Sequence, residues 1–279
     1  MGLNTDGHKV RAQREKEDRY NIRVLDRAIV VLSVLSDGRL HTLTELSETA
    51  RLNSSTAFRI LATLNYHRYV ERDEASGAYK LGLACLELAR AYGQANDLRQ
   101  IALPELEVLR DHTKETVHLA VMDAGEVVYL EKLPGLHAIG IMTSRVGRRS
   151  PAYCTGLGKV FLAHSNPALI QQLYATTAFQ GFTSTTIQSM EELLHQLQEV
   201  RDRGYALDRG EHEAEVRCVA APVFDIDGQV VAAISVSGPA NRMEPLEQNA
   251  EVIQWTMDSA QAISTRLGYH PPGERVSQK

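Results

Sequence analysis

Four short stretches of this 279-residue chain carry side chains whose types and spacing could do chemistry. Cys154-Thr155-Gly156-Leu157-Gly158-Lys159 places small residues where a helix would begin, and the exposed amides of a helix start favour an anion. Ser235 and Ser237 alternate within the apolar run VVAAISVSG, so both hydroxyls point to the same face of a strand. Buried hydroxyls need partners, and either a small polar ligand or the neighbouring backbone can supply them. Glu211, His212, Glu213 and Glu215 are close enough together to hold a metal, although short acidic runs of this kind are more commonly solvated turns. Finally, Asn53-Ser54-Ser55-Thr56, with Arg59 one turn later, interrupts an apolar helical pattern with small donors and acceptors. Such groups can reach base edges and phosphates, or simply cap a helix.

Several enzyme classes drop out. GLGK at 156–159 lacks the full GxxxxGK[ST] of a phosphate loop, and the chain has no HExxH, no HxE with PCxxC and no GxSxG. We expect no catalytic residue, no metal and no cofactor. The three cysteines, Cys85, Cys154 and Cys218, are odd in number and far apart, which is neither a disulfide framework nor a zinc pattern. No apolar run approaches the roughly 18–20 residues needed to span a bilayer. The charged start MGLNTDGHKVRAQREKEDRY has no secretory core, so a cytoplasmic protein with a polar arm is expected. The net charge of −5 is uneven: residues 1–82 hold 13 Lys or Arg against 11 Asp or Glu, the remainder 17 against 24. A slightly basic N-terminal module on an acidic body suits local attraction to phosphate.

The elements that must position these groups follow from periodicity. Asn21 to Leu35 carries one apolar stripe, with Ser36-Asp37-Gly38 as its stop. Thr42 and Glu45 form a capping-box pattern opening a short helix to about Thr49, and Asn53 caps a third helix running to about His67. YVERDEASGAYKLG, residues 69–82, reads as a hairpin. Three helices and a hairpin in this order make a winged helix-turn-helix, whose usual partner is double-stranded DNA. Its candidate contacts are Thr44, Asn53, Ser54, Ser55, Thr56 and Arg59, with Arg72 and Lys80 on the wing as phosphate contacts or solvated strand charges. Beyond it, helices are expected at 82–94 and 98–114, then strands at 116–123, 126–133, 137–144, 204–208, 216–225 and 230–238. Further helices are expected at about 155–164, 167–174, 189–203 and 243–267. Hairpin-length turns outnumber crossovers, so the sheet should be antiparallel and the second domain α+β. The expected division is a polar arm (1–20), a winged helix-turn-helix (21–82), a linker helix (83–97), a ligand-binding domain (98–268) and a tail (269–279).

With these blocks in view, the chain resembles the IclR-type (isocitrate-lyase-regulator) bacterial transcription regulators over roughly residues 21–268. The resemblance rests on LNSSTAFRIL in the winged module, then VGRRSPAYCTGLGKVFLA, RDRGYALDRGE and VRCVAAPVFDIDGQVVAAISVSGP. It implies a DNA-binding domain followed by a GAF-like effector domain, assembly into homodimers or homotetramers, and a roughly palindromic operator. It also implies control of catabolic genes by a small carboxylate, with no membrane involved. Carried over by motif, the effector-binding residues are Gly156, Leu157, Asp208, Cys218, Ser235 and Ser237. Glu215 departs from the family, which usually has Gly there, and a glycine would permit a tighter backbone. The SRxGRR run with Tyr153 looks like members that sense sugar acids: its arginines would suit an acidic effector, or equally a surface or interface. The alternative is a winged-helix regulator whose second domain serves assembly without a metabolite.

Overall fold

A computed structural model of the chain describes residues 22–95, 97–136, 142–175 and 179–270. The chain divides after Ala95 into two compact units. The first contains α1 (Arg23–Leu35), α2 (Leu43–Thr49), α3 (Ser54–Tyr66), β1 (Val70–Arg72), β2 (Tyr79–Leu81) and α4 (Leu83–Ala95). The apolar stripes of the three leading helices meet in a small core of Val31, Leu35, Leu46, Ile60 and Leu61, closed by Val70 and Tyr79 from the hairpin.

Caps fix where these helices start. Thr42 Oγ1 accepts from the Glu45 amide at 3.2 Å while Glu45 Oε2 accepts from the Thr42 amide at 2.7 Å. Asn53 Oδ1 accepts from the Thr56 amide at 2.8 Å. Caps of this type stabilise by about 1 kcal/mol each. β1 and β2 pair antiparallel, and His41 bridges to Tyr79 as a third backbone contact of the wing. Its turn is closed by the Asp73 carboxylate, which accepts from the Ser76 amide and hydroxyl at 2.8 and 2.5 Å, with Gly77 at φ 71°. The start of α4 is tied into this unit: the Ala84 amide donates to Arg68 O at 3.0 Å, and a Cβ on Gly82 would overlap that same carbonyl.

The second unit begins with α5 (Asp97–Thr113) and β3 (Thr116–Asp123), β4 (Glu126–Leu133) and β5 (Arg149–Pro151). There follow α6 (Gly156–Ala163), α7 (Pro167–Tyr174), α8 (Met190–Arg203), β6 (Ala206–Asp208), β7 (Val216–Phe224) and β8 (Val230–Pro239). It closes with α9 (Ala240–Met243), a 3-10 turn (Leu246–Gln248) and α10 (Ala250–Arg266). The strands form one sheet in the order β5-β4-β3-β8-β7-β6, every neighbour antiparallel as the short turns require. Ala124 and Gly125, both at positive φ, supply the tight β3–β4 hairpin.

Helices cover both faces. Val219, Ile234 and Val236 face α5 and α10, whereas Ala120, Ala220 and Ala233 face α6 and α8. This is why the central strands read as nearly continuous apolar runs. On the α6 face the pattern is broken by His118, Cys218, Ser235 and Ser237, all buried.

Three local expectations differ from the fold. Residues 142–144 of the expected strand 137–144 carry no strand, and 137–141 lie outside the described residues; the edge strand is β5, within the basic run. Gly204 ends α8 in the left-handed region at φ 82°, which delays β6 to Ala206. The last helix starts at Ala250, because Pro245 has no amide hydrogen to continue one from α9.

Candidate functional site

In the first unit, α3 presents Ser54, Ser55 and Arg59 to solvent, with Thr44 exposed on α2. Asn53 and Thr56 are joined by the cap, and Ser55 Oγ donates to Asn53 Oδ1 at 3.0 Å. Among the described residues the Ser54 hydroxyl and the Arg59 guanidinium have no hydrogen-bond partner. Phe58, 52% exposed on the same helix, is an apolar side chain to which the sequence pattern gave no role. The wing cations are engaged within the hairpin. Arg72 Nε donates to Gly77 O at 3.1 Å with its guanidinium over the Tyr79 ring, and Lys80 lies 3.5 Å from Glu71, its cross-strand partner.

The second unit holds a cavity of about 40 Å³, open to solvent, between the α6 start and the sheet. Gly156, Leu157, Asp208, Cys218, Ser235 and Ser237 all line it, though they come from α6, β6, β7 and β8. Strand register explains the convergence: Cys218 pairs with Asp208 on one side and Ser237 on the other. Gly156 is needed for close approach, since a Cβ there would lie 3.1 Å from Cys218 Sγ and 3.3 Å from Ala220 Cβ. Gly158 has a packing reason instead, because a Cβ would overlap the Ala152 backbone.

At the α6 start, Thr155 Oγ1 accepts from the Gly158 amide at 3.2 Å and Thr155 O from the Lys159 amide at 2.9 Å. The Gly156 and Leu157 amides have no hydrogen-bond partner among the described residues. Two bare N–H groups at a helix start, beside a cavity, are free to donate into it. Asp208 Oδ1 accepts from the Gly210 and Glu211 amides at 3.0 and 2.9 Å. Burial nevertheless pushes the Asp208 carboxyl up, opposed by the Lys159 charge. Burial also raises the Cys218 thiol to about 12 and the Tyr129 phenol to about 12, so both stay protonated near neutral pH.

Lys159 sits beneath the site. Fully buried, it donates to Glu211 Oε1 at 2.6 Å and to Gln196 Oε1 at 2.8 Å. Glu211 Oε2 is buried with no hydrogen-bond partner among the described residues, and burial lifts this carboxyl to about 6. The three glutamates of the acidic run therefore diverge, while His212 Nδ1 stays 4.0 Å from Glu213 Oε1. Glu211 turns inward to Lys159, Glu213 accepts from the Thr143 amide at 3.0 Å, and Glu215 is exposed. Among the described residues no three His, Cys, Asp or Glu converge on a point that could hold a metal.

Comparison with known proteins then decides the family. Residues 24–74 match the IclR helix-turn-helix domain, and residues 90–265 match the bacterial transcriptional regulator IclR C-terminal domain. The chain belongs to the IclR family. It is a DNA-binding transcription regulator and not an enzyme. The HTH-type transcriptional regulator KdgR of Escherichia coli is 36% identical over 240 residues, 86% of this chain and 90% of that protein. The Thermotoga maritima IclR crystal structure is 30% identical with a TM-score of 0.71, covering 89% of this chain and all of that one. An IclR homolog from Microbacterium hydrocarbonoxydans, complexed with 4-hydroxybenzoate, is 29% identical with a TM-score of 0.76, covering 88% of this chain and 98% of that one.

Within this IclR-family chain, several sequence features fall outside the cavity. Arg149 ion-pairs with Asp123 at the sheet edge, and Arg148 Nη1 donates to Thr143 O at 3.0 Å. Tyr153 donates to Gln180 O at 2.8 Å and packs on Tyr174 and Phe179. Neither that tyrosine nor the three arginines of the run line the cavity. Glu215 has no left-handed backbone that would call for Gly, and its carbonyl accepts from the Ala240 amide at 2.9 Å. Conversely, His118, Tyr129 and Ser144 line the cavity without having been singled out, and His212, read above only as part of the acidic run, lines it too. For His118 the signal was present: one imidazole at an inward position of an apolar strand.

Proposed function

We propose that this chain is an effector-responsive regulator whose operator binding is controlled by a small organic acid in the second unit's cavity. A hydroxy- or keto-acid is favoured, a sugar acid first among them. The carrying observation is the pairing of two bare amides, at Gly156 and Leu157, with the Asp208 carboxylate in one cavity. A carboxylate suits the amides, and a hydroxyl can donate to Asp208. Ser235 and Ser237 are placed for the remaining oxygens, leaving few buried groups unsatisfied. The 4-hydroxybenzoate complex of the Microbacterium homolog supports the reading, since that ligand carries a carboxylate and a hydroxyl.

On the DNA side, α3 enters the major groove, with Ser54, Ser55, Arg59 and Thr44 reaching bases or phosphates and Phe58 suited to a thymine methyl. Asn53 and Thr56 hold the helix start, and Arg72 and Lys80 follow phosphates from the wing. The protein acts in the cytoplasm as a homodimer or homotetramer on a roughly palindromic operator of catabolic genes. The second domain, 98–268, is read as GAF-like, with 83–97 as the linker from the first.

Thermal melting with D-gluconate, pyruvate and 4-hydroxybenzoate, against neutral D-glucose, tests the ligand class. A ligand that prefers the native state raises the melting temperature with concentration. The reading expects stabilisation by at least one carboxylate and none by glucose. No shift with any carboxylate would favour a second domain that serves assembly alone, and a preference for glucose would sink the pose.

A further inference from the structure

His118 on β3 stands opposite Ser235 in the β3–β8 register. Its Nδ1 lies 3.3 Å from Ser235 Oγ and 3.5 Å from Ser237 Oγ, and its Nε2 lies 2.9 Å from Ser144 Oγ. One ring thus touches three hydroxyls from two separate segments, β8 and the loop at Ser144, and all four residues line the cavity. The ring is only 3% exposed. Burial, helped by the Lys132 charge, lowers its pKa to about 3, so it is neutral at any physiological pH. Ser144 is held from its other side, where Lys132 Nζ donates to its carbonyl at 2.7 Å.

A neutral imidazole has one N–H and one bare nitrogen, so the two sides of the ring must play opposite roles. The Cys218 thiol, opposite Ser237 in the β7–β8 register, stays protonated and can donate to a serine oxygen on that side. A consistent chain runs from the Cys218 thiol to a serine oxygen, from that serine hydroxyl to bare Nδ1, and from Nε2–H to Ser144 Oγ. The serine oxygens then keep lone pairs facing the cavity, and Ser144 keeps a proton to donate.

We propose that His118 is a positioning residue of this cavity, whose single neutral tautomer fixes the hydroxyls of Ser144, Ser235 and Ser237 so that the strand wall accepts protons from the hydroxyls of an effector. This rests on the effector reading of the same site and adds to it the residue that selects a polyol acid over a plain keto-acid. Each element has a bare-protein signature and a ligand signature, which separate the two ideas.

Ring-nitrogen NMR of histidine-labelled full-length protein reads the tautomer without any ligand, with His118→Asn assigning the signals among the ten histidines. The expected spectrum has bare Nδ1 and protonated Nε2, unchanged from pH 8 to pH 5, with tautomer averaging in Ser144→Ala. Titration near pH 6.5, a protonated Nδ1, or averaging in the wild type would overturn the lock. Calorimetry with D-gluconate and pyruvate reads the consequence. His118→Phe, which keeps the ring shape, should lower gluconate affinity about tenfold and pyruvate affinity less than threefold, as loss of one net hydrogen bond implies. His118→Asn, whose amide oxygen can replace Nδ1 as acceptor, should recover part of the gluconate loss and also serves if the Phe variant fails to fold. Equal losses for both probes would reduce His118 to a structural residue. A wild type that binds neither probe defeats the hydroxy- or keto-acid reading, while the ring spectrum still decides the lock.

Discussion

Replacing Lys159 by Met keeps the unbranched stem out to Cε and removes the charged nitrogen from a fully enclosed position. In the native protein that charge lies 2.6 Å from Glu211 Oε1, and both side chains are at most 2% exposed. Burying the two ions costs several kcal/mol each, and their attraction offsets this only while both are present. In Lys159→Met, Glu211 Oε1 loses its Lys159 partner, and Oε2 already has none among the described residues. The expected loss is about 3–5 kcal/mol at pH 7, the range for breaking a buried pair. Adding Glu211→Met should restore most of it, because a buried pair replaced by apolar side chains is often neutral or better. Urea unfolding followed by Trp255, the single tryptophan and a residue of α10, reports on the second unit. The deficit of the single variant should shrink at pH 5, because burial already raises Glu211 to about 6 and losing Lys159 raises it further. A single-variant loss below about 1 kcal/mol, or a double variant as unstable as the sum of both singles, would refute the idea that this pair is mutually dependent.

Gly158→Ala should destabilise the second unit toward the upper end of the ~1–3 kcal/mol of overpacking, because the obstacle is Ala152 backbone rather than a movable side chain; an unchanged urea midpoint would contradict this packing. Arg59→Ala should weaken operator binding by about 1–3 kcal/mol if it reads a guanine, or lower the salt slope by about one unit if it meets phosphate. Unchanged affinity and slope would remove it from the interface. His118 contributes a definite pH dependence. Its folded pKa, about 3, lies below the ordinary 6.5, so its stabilisation is complete above pH 6.5 and is lost as pH falls toward 3. At about 1.4 kcal/mol per unit, roughly 2 kcal/mol should be gone by pH 5. The His118→Asn variant should lack that slope in urea unfolding at pH 7 and 5.

Much of this architecture is legible in the residues, because local signals and tertiary demand agree. Thr42 and Glu45, Asn53 and the stripe ending at Leu35 specify the helices of the first unit. The alternating serines of β8 lie on the face that strand geometry requires. What escaped is long-range. Nothing local says that Lys159 of GLGK pairs with Glu211, or that this pairing turns one member of an acidic run inward and leaves Glu215 exposed. The basic run was readable as charge but not as direction: Arg149 is drawn to the Asp123 and Glu126 carboxylates at the sheet edge. Phe58 faces solvent although its type suggests a core, since α3 buries only Ala57, Ile60 and Leu61. His118 was visible as an oddity, but two of its three serine partners, Ser235 and Ser237, depend on a register formed across more than a hundred residues.

The central claim is that occupancy of the second unit's cavity changes the affinity of the first unit for DNA. Fluorescence-anisotropy titration of an operator selected by the protein itself, with and without a saturating carboxylate from the melting screen, tests this most directly. A coupling of about 1–3 kcal/mol, or 5- to 150-fold in operator affinity, is predicted for the wild type. Asp208→Asn should bind the bare operator like the wild type and need about tenfold or more additional effector for the same change. A carboxylate that binds the second unit and leaves operator affinity unchanged in the wild type would contradict the account.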